Sequence, residues 1–117
     1  MTDKQIEFGS LLVIKVEDDT AIVGGRVTRG PINPGDIFSA AYRLGPPKVN
    51  EEGETYRPRR WERQIALTVD RIDSYGHSAA ELEEGLSGRL ELKGDGVDKL
   101  MENDILGLFG AEAEAEA

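Results

Sequence analysis

"AIVGGRVTRGPINPGD", Ala21 to Asp36, is the stretch on which the fold turns. It sets glycines, prolines and two arginines among apolar residues. Three readings compete: a phosphate-cradling loop, a nucleic-acid contact, or two strands and the turn between them. A P-loop needs G-x-x-x-x-G-K-[ST] between a strand and a helix. "GGRVTRG" has no Lys-Ser/Thr ending and runs into a Pro-rich turn. The dinucleotide fingerprint fails as well, because no helix follows whose N-terminus could hold a pyrophosphate. Glycine inside a strand marks a bulge, a sharp barrel bend or the close approach of another backbone. The expectation is therefore a barrel strand bent at its glycines. Pro34-Gly35 then turns the chain, since Pro presets one backbone angle and Gly accepts a positive one.

Outward from this stretch, short apolar segments alternate with turn signals. Leu11–Val16, "LLVIKV", reads as a strand with Lys15 outward, and "EDDT" after it as a turn. Asp36–Leu44 is the next strand. Gly45–Arg60, with two adjacent prolines and a polar mixture, reads as a long surface loop. In Gln64–Ile72, Ile65, Leu67 and Val69 share a face with the flank of Ile72. Gln64, Thr68 and Asp70 do not form a clean opposite face, so the register stays open. Ser78–Gly85, "SAAELEEG", carries a capping box, with Ser78 as cap, Glu81 bonding back and Gly85 as terminator, and predicts one or two helical turns. Ser87–Gly94 is another strand. A helical turn at Asp98–Met101 and a last strand at Ile105–Phe109 complete the chain. Turn signals every ~8–12 residues and little helix predict an all-β barrel or sandwich.

The 117 residues suit one domain. We expect a lead-in over 1–10, the β-barrel over 11–110 and a disordered Ala/Glu tail over 111–117. There is no cysteine, so neither a disulfide nor a thiolate nucleophile is available. The first residues lack the apolar run of a signal peptide, and no stretch approaches the ~18 apolar residues of a membrane span. A soluble cytoplasmic protein is expected. The net charge is -9. Glu112, Glu114 and Glu116 contribute to it, and the body is acidic without them. Such a chain repels nucleic acid at long range, although a local basic patch remains compatible.

The sequence carries no recognisable catalytic constellation. His77 is the single histidine, and its neighbour Ser78 is better employed as a cap. Zinc wants several Cys or His ligands. In Asp95–Asp98 the calcium-loop positions that require oxygen ligands hold Val97 and Leu106. No catalytic residue, metal or cofactor is expected. "YRPRRWER" is different. It gathers Arg57, Arg59, Arg60 and Arg63 around Tyr56 and Trp61 on an acidic chain. Arginine with aromatic neighbours suits a protein hot spot. It also suits phosphate contact and base stacking. A third possibility is structural, with Trp61 closing a barrel end and the arginines paired to local Glu.

The opening stretch also resembles the second domain, a β-barrel, of the translational GTPases, elongation factor Tu and its relatives. The matching residues are Ile22, Val23, Gly25, Arg26, Val27, Arg29, Gly30, Ile32, Gly35 and Asp36. Downstream, Glu84, Gly85, Gly88, Leu90, Leu92 and Gly94 follow the family's acidic-Gly, small-Gly and strand pattern. Asp104, Ile105 and Leu106 stand at its last strand. The resemblance spans Leu11 to Leu108 and implies a closed antiparallel barrel of six or seven strands. It implies a binding and orienting module rather than a catalyst. With no GTPase domain ahead of the barrel, it implies no GTP chemistry. Where elongation factor Tu has a Glu-Asn that helps form the pocket for the aminoacyl end of transfer RNA, this chain has Arg89 and Leu90. The leading expectation is a binding module for a protein partner. An RNA or ribosome binder and a small acidic inhibitor or immunity-type protein are the alternatives. A second copy of the chain also stays open as a partner, and a membrane is not expected.

Overall fold

The computed structural model describes residues 5–108. The expected Ala/Glu tail and Phe109 lie outside the described residues. The described residues form nine strands: β1 (Glu7–Glu17), β2 (Thr20–Arg29), β3 (Ile37–Leu44), β4 (Lys48–Val49), β5 (Thr55–Tyr56), β6 (Arg59–Ser74), β7 (His77–Ala79), β8 (Ser87–Asp95) and β9 (Ile105–Gly107). Six of them close a barrel in the order β1-β2-β8-β6-β3-β9 and back to β1, every pair antiparallel. β7 adds to β6, and β4–β5 form a separate hairpin. Closure removes the open edges of the six strands. β1 starts at Glu7, four residues before the expected Leu11.

Alternation fills the interior. Phe8, Val23, Val27, Phe38, Leu67, Val69, Leu90, Leu92 and Leu106 are buried together. Each such side chain contributes about 1.5–3 kcal/mol by leaving water. The irregular face of Gln64–Ile72 has a simple cause. Val69 pairs with Leu92 and Arg71 with Glu91, so Asp70 is an extra residue, a bulge that resets the alternation and turns Ile72 inward.

Three tight turns clasp neighbouring strands in the same way. In Asn33–Asp36, Glu83–Leu86 and Met101–Asp104 the fourth N–H donates to the first carbonyl, at 3.1, 3.1 and 3.2 Å. The third residue has positive φ in each: Gly35 at 96°, Gly85 at 91° and Asn103 at 72°. That third N–H donates to the carbonyl of Val69, Val27 or Leu11, and the same strand residue donates back to the turn's fourth carbonyl. Asp36 and Asp104 tighten their turns by accepting the first residue's N–H on Oδ2.

The helix expected at Ser78–Gly85 does not form. Tyr75 and Gly76 both take positive φ, 53° and 82°, the pattern of a type I′ hairpin turn. His77–Ala79 therefore pairs back onto Ile72–Ser74. Leu82 is locked to Ile32 by reciprocal bonds of 2.8 and 2.9 Å and is buried with it, which requires extended backbone. Glu81 accepts from Asn33 Nδ2 at 3.3 Å rather than returning to a cap. The expected turn at Asp98–Met101 is a 3-10 turn at Val97–Lys99, with left-handed Gly96 at its cap position. The expected loop Gly45–Arg60 is the β4–β5 hairpin followed by the first residues of β6. Arg59 and Arg60 pair with Leu44 and Arg43, so these arginines begin a strand.

Candidate functional site

The arginine-rich segment lies on a bulged ribbon formed by β3 and the first half of β6. Ala41 pairs with Arg63 and Arg43 with Arg60, so Trp61 and Glu62 together face Tyr42 alone. Trp61 takes φ 55°, a left-handed conformation unusual for a bulky side chain. The residue is 64% exposed and therefore does not close the barrel end. The Arg43 guanidinium lies 5.1 Å from the ring centroid. Arg63 Nε donates to the Trp61 carbonyl at 2.8 Å and fixes the backbone there.

Arg63 is itself anchored. It grips the fully buried Asp104 with two parallel bonds, Nη1 to Oδ2 at 2.9 Å and Nη2 to Oδ1 at 2.7 Å, and also donates to the Lys99 carbonyl. Arg43 Nε stands 3.5 Å from Asp104 Oδ1, and its Nη2 donates to the Glu102 carbonyl. Arg59 stacks 3.8 Å from the Tyr42 ring centroid and donates from Nη1 to Glu62 Oε2 and to the Leu108 carbonyl. Arg57 donates to the carbonyls of Gly45 and Leu44. Tyr56 is half-buried on β5, paired with Lys48. Arg60 lies against Gly45, where a Cβ would meet its Nε at 2.7 Å. It has no ion pair among the described residues. The six residues thus do not form one free cationic patch. Three arginines brace the ribbon, while Trp61 and Arg60 face solvent. Arg43, Tyr42 and Asp104 complete this cluster and were not singled out in the sequence as its members, because they come from β3 and the segment before β9.

The glycine-arginine motif and the acidic-glycine motif meet in space. Arg26 Nε donates to the Gly85 carbonyl at 3.1 Å, and the Gly30 N–H donates to Glu84 Oε1 at 3.2 Å. Gly25 permits close approach: a Cβ would meet the Gly9 carbonyl oxygen at 2.5 Å and the Phe8 ring at 2.7 Å. Gly88 is similar, with the Asp73 carbonyl oxygen 2.9 Å from a Cβ. Arg29 is exposed opposite Glu7 at the end of β2. Gly35 and Asp36 belong to the first clasping turn. His77 is exposed on β7. Among the described residues, no three His, Asp or Glu side chains are placed to hold a metal ion, and no helix is long and apolar enough to cross a membrane.

A groove of about 690 Å³ crosses the outside of the barrel, lined by Leu12, Ile14, Gly24, Arg71, Tyr75 and Arg89, among others. Leu90, next to Arg89, is fully buried and offers nothing to a ligand.

No protein-family model matches the chain, and no curated protein matches it in sequence. Its backbone does match solved structures. Translation elongation factor SelB of Methanococcus maripaludis, in its apo form and in complex with the GTP analogue GppNHp, superposes with a TM-score of 0.64 in both cases. Each match covers 95% of this chain and 20% of SelB at 13% sequence identity. The fold is that of a translation-factor β-barrel. At this identity the likeness is one of fold, and the chain spans about a fifth of SelB.

Proposed function

We propose that this chain is a non-enzymatic binding module. On this reading it is a translation-factor-type barrel that engages a protein partner through the segment Tyr56, Arg57, Arg59, Arg60, Trp61 and Arg63, which runs from β5 into the ribbon. The observation that carries it is Trp61. A tryptophan held at positive φ, with its carbonyl tied by Arg63 and its ring left in water, is costly for the barrel alone. Backbone strain of this kind, about 1–2 kcal/mol, persists where surrounding structure enforces it, often at binding sites. Trp, Tyr and Arg are also the residues enriched at protein hot spots. The net charge of -9 favours a protein over an RNA partner. Arg57, Arg59 and Arg63 brace the face, and Trp61, Arg60 and Arg43 supply the contact.

Affinity capture from native cell extract tests this, comparing the wild-type chain with Trp61→Ala and Arg60→Ala. Specific partners captured by wild type should be lost from Trp61→Ala and reduced for Arg60→Ala. Unchanged capture by both variants removes this face from the reading. If the captured species is RNA, with affinity that falls steeply with salt, the protein-partner reading is replaced by a nucleic-acid one.

A further inference from the structure

Gly24 and Gly25 are adjacent in β2, yet the barrel needs only one of them. At Gly25 the missing side chain would point inward, into the Gly9 carbonyl and the Phe8 ring. At Gly24 it would point outward, where its nearest neighbours are Ile14 Cδ1 at 3.7 Å, the Gly88 carbonyl oxygen at 3.9 Å and Leu12 Cβ at 4.0 Å. Those are ordinary contact distances. Gly24 is not among the glycines with positive φ. Glycine in a strand interior weakens the strand. The fold therefore tolerates a side chain at Gly24, and what its absence creates is the floor of the outer groove.

The groove has one apolar side and one charged side. Leu12 and Ile14 on β1 stand over Gly24, 52% and 41% exposed. Opposite them are Arg71, Asp73 and Arg89, with Tyr75 at the end of β6; Asp73 is the register partner of Arg89, but its Oδ1 pairs with Arg71 Nε at 3.4 Å. Arg89 has no ion pair among the described residues. Two arginines thus face one carboxylate, and the groove carries a net positive charge on a chain whose net charge is strongly negative. The group that fits both sides is an apolar side chain with a carboxylate beside it. β2 and β8, which form the floor, are paired on both edges, so recognition has to come from side chains and not from an added strand. The apolar contacts come from separate elements and lie open to solvent. This suits a segment presented by a larger partner, whereas a free small molecule gains most from an enclosing cavity.

We propose that this groove docks an extended segment of a protein partner, with an apolar side chain seated on Gly24 and an adjacent Asp or Glu paired to Arg89. The proposal does not rest on the Trp61 face. Trp61 and Arg71 are ten residues apart on β6, roughly 30 Å along an extended strand.

The test uses a displayed library of random peptides, panned on the wild-type chain and counter-selected on Gly24→Val. The valine has room for its Cβ but fills the groove. Enriched peptides are then synthesised and titrated into the isotope-labelled chain by NMR. The expected result is a shared Asp or Glu within two residues of Leu, Ile, Met or Phe, with amide shifts at Gly24, Gly88 and Arg89. Affinity should fall about tenfold or more in Arg89→Glu, a change on an exposed side chain, and stay unchanged in Trp61→Ala. Any of four results overturns the proposal: no enrichment over the counter-selection, enriched peptides without an acidic residue, binding insensitive to Arg89→Glu, or shifts at those amides with adenosine monophosphate or an RNA oligonucleotide but not with peptide.

Discussion

The two halves of β6 are built by different rules. From Ile65 to Ile72 the strand is held by burial, with Ile65, Leu67, Val69 and Ile72 turned into the core and one bulge at Asp70. From Arg59 to Gln64 it holds almost no apolar contact with the core. Its position there depends on the ladder to β3, on Arg59 stacked over Tyr42 and on Arg63 gripping Asp104. The first arrangement follows from the hydrophobic pattern. The second follows from charge pairing across the barrel, and it leaves an indole in solvent.

The largest effect should come from the buried half. Leu67→Ala removes a fully buried side chain and should cost about 3–4 kcal/mol, read as the shift in a denaturant midpoint. Asp104→Ala attacks the other half. It leaves Arg63 and Arg43 without their buried anion, but these side chains are 20% and 29% exposed, so water offsets part of the loss. The expected cost is about 2–3 kcal/mol, below the value for a fully buried pair. If Asp104→Ala were neutral, β3 pairing alone would hold the ribbon, and the contrast between the halves would dissolve.

This contrast also explains what the sequence made legible. The apolar alternation of Ile65, Leu67 and Val69 identified the second half as strand. The first half read as loop because its anchor, Asp104, lies 41 residues from Arg63, and no local pattern announces that contact. Pro34-Gly35 announced the first clasping turn. Glu83–Leu86 and Met101–Asp104 have the same geometry without proline, so the former was absorbed into a capping-box reading. That box lost to Tyr75-Gly76 and to the burial of Leu82. The six arginine-loop candidates carried the right composition, but composition does not say which guanidinium groups are bonded internally. The groove was harder to see. Val23 faces inward, so alternation places Gly24 outward and Gly25 inward, yet only the neighbours Leu12, Ile14 and Arg89 make the outward glycine a floor.

The smallest stability effect is expected at the most conspicuous residue. Trp61 sits at φ 55°, which costs a non-glycine residue about 1–2 kcal/mol. Trp61→Gly relieves that strain. It also gives up the Arg43 contact, about 0.5–1 kcal/mol at an exposed site, and adds roughly 0.5–1 kcal/mol of backbone entropy to the unfolded chain. These contributions oppose one another, so stability should change by less than about 1 kcal/mol in a thermal or denaturant melt. The Arg63 bond to the residue 61 carbonyl survives the change, because it uses backbone. A loss of 3 kcal/mol or more would instead make the indole a structural part of the ribbon and remove the main support for a partner face. Stability within the expected range, together with lost capture of the partner, would separate the ring's role from that of the arginines beneath it: Arg63 and Asp104 hold the strand in place, and Trp61 makes the contact.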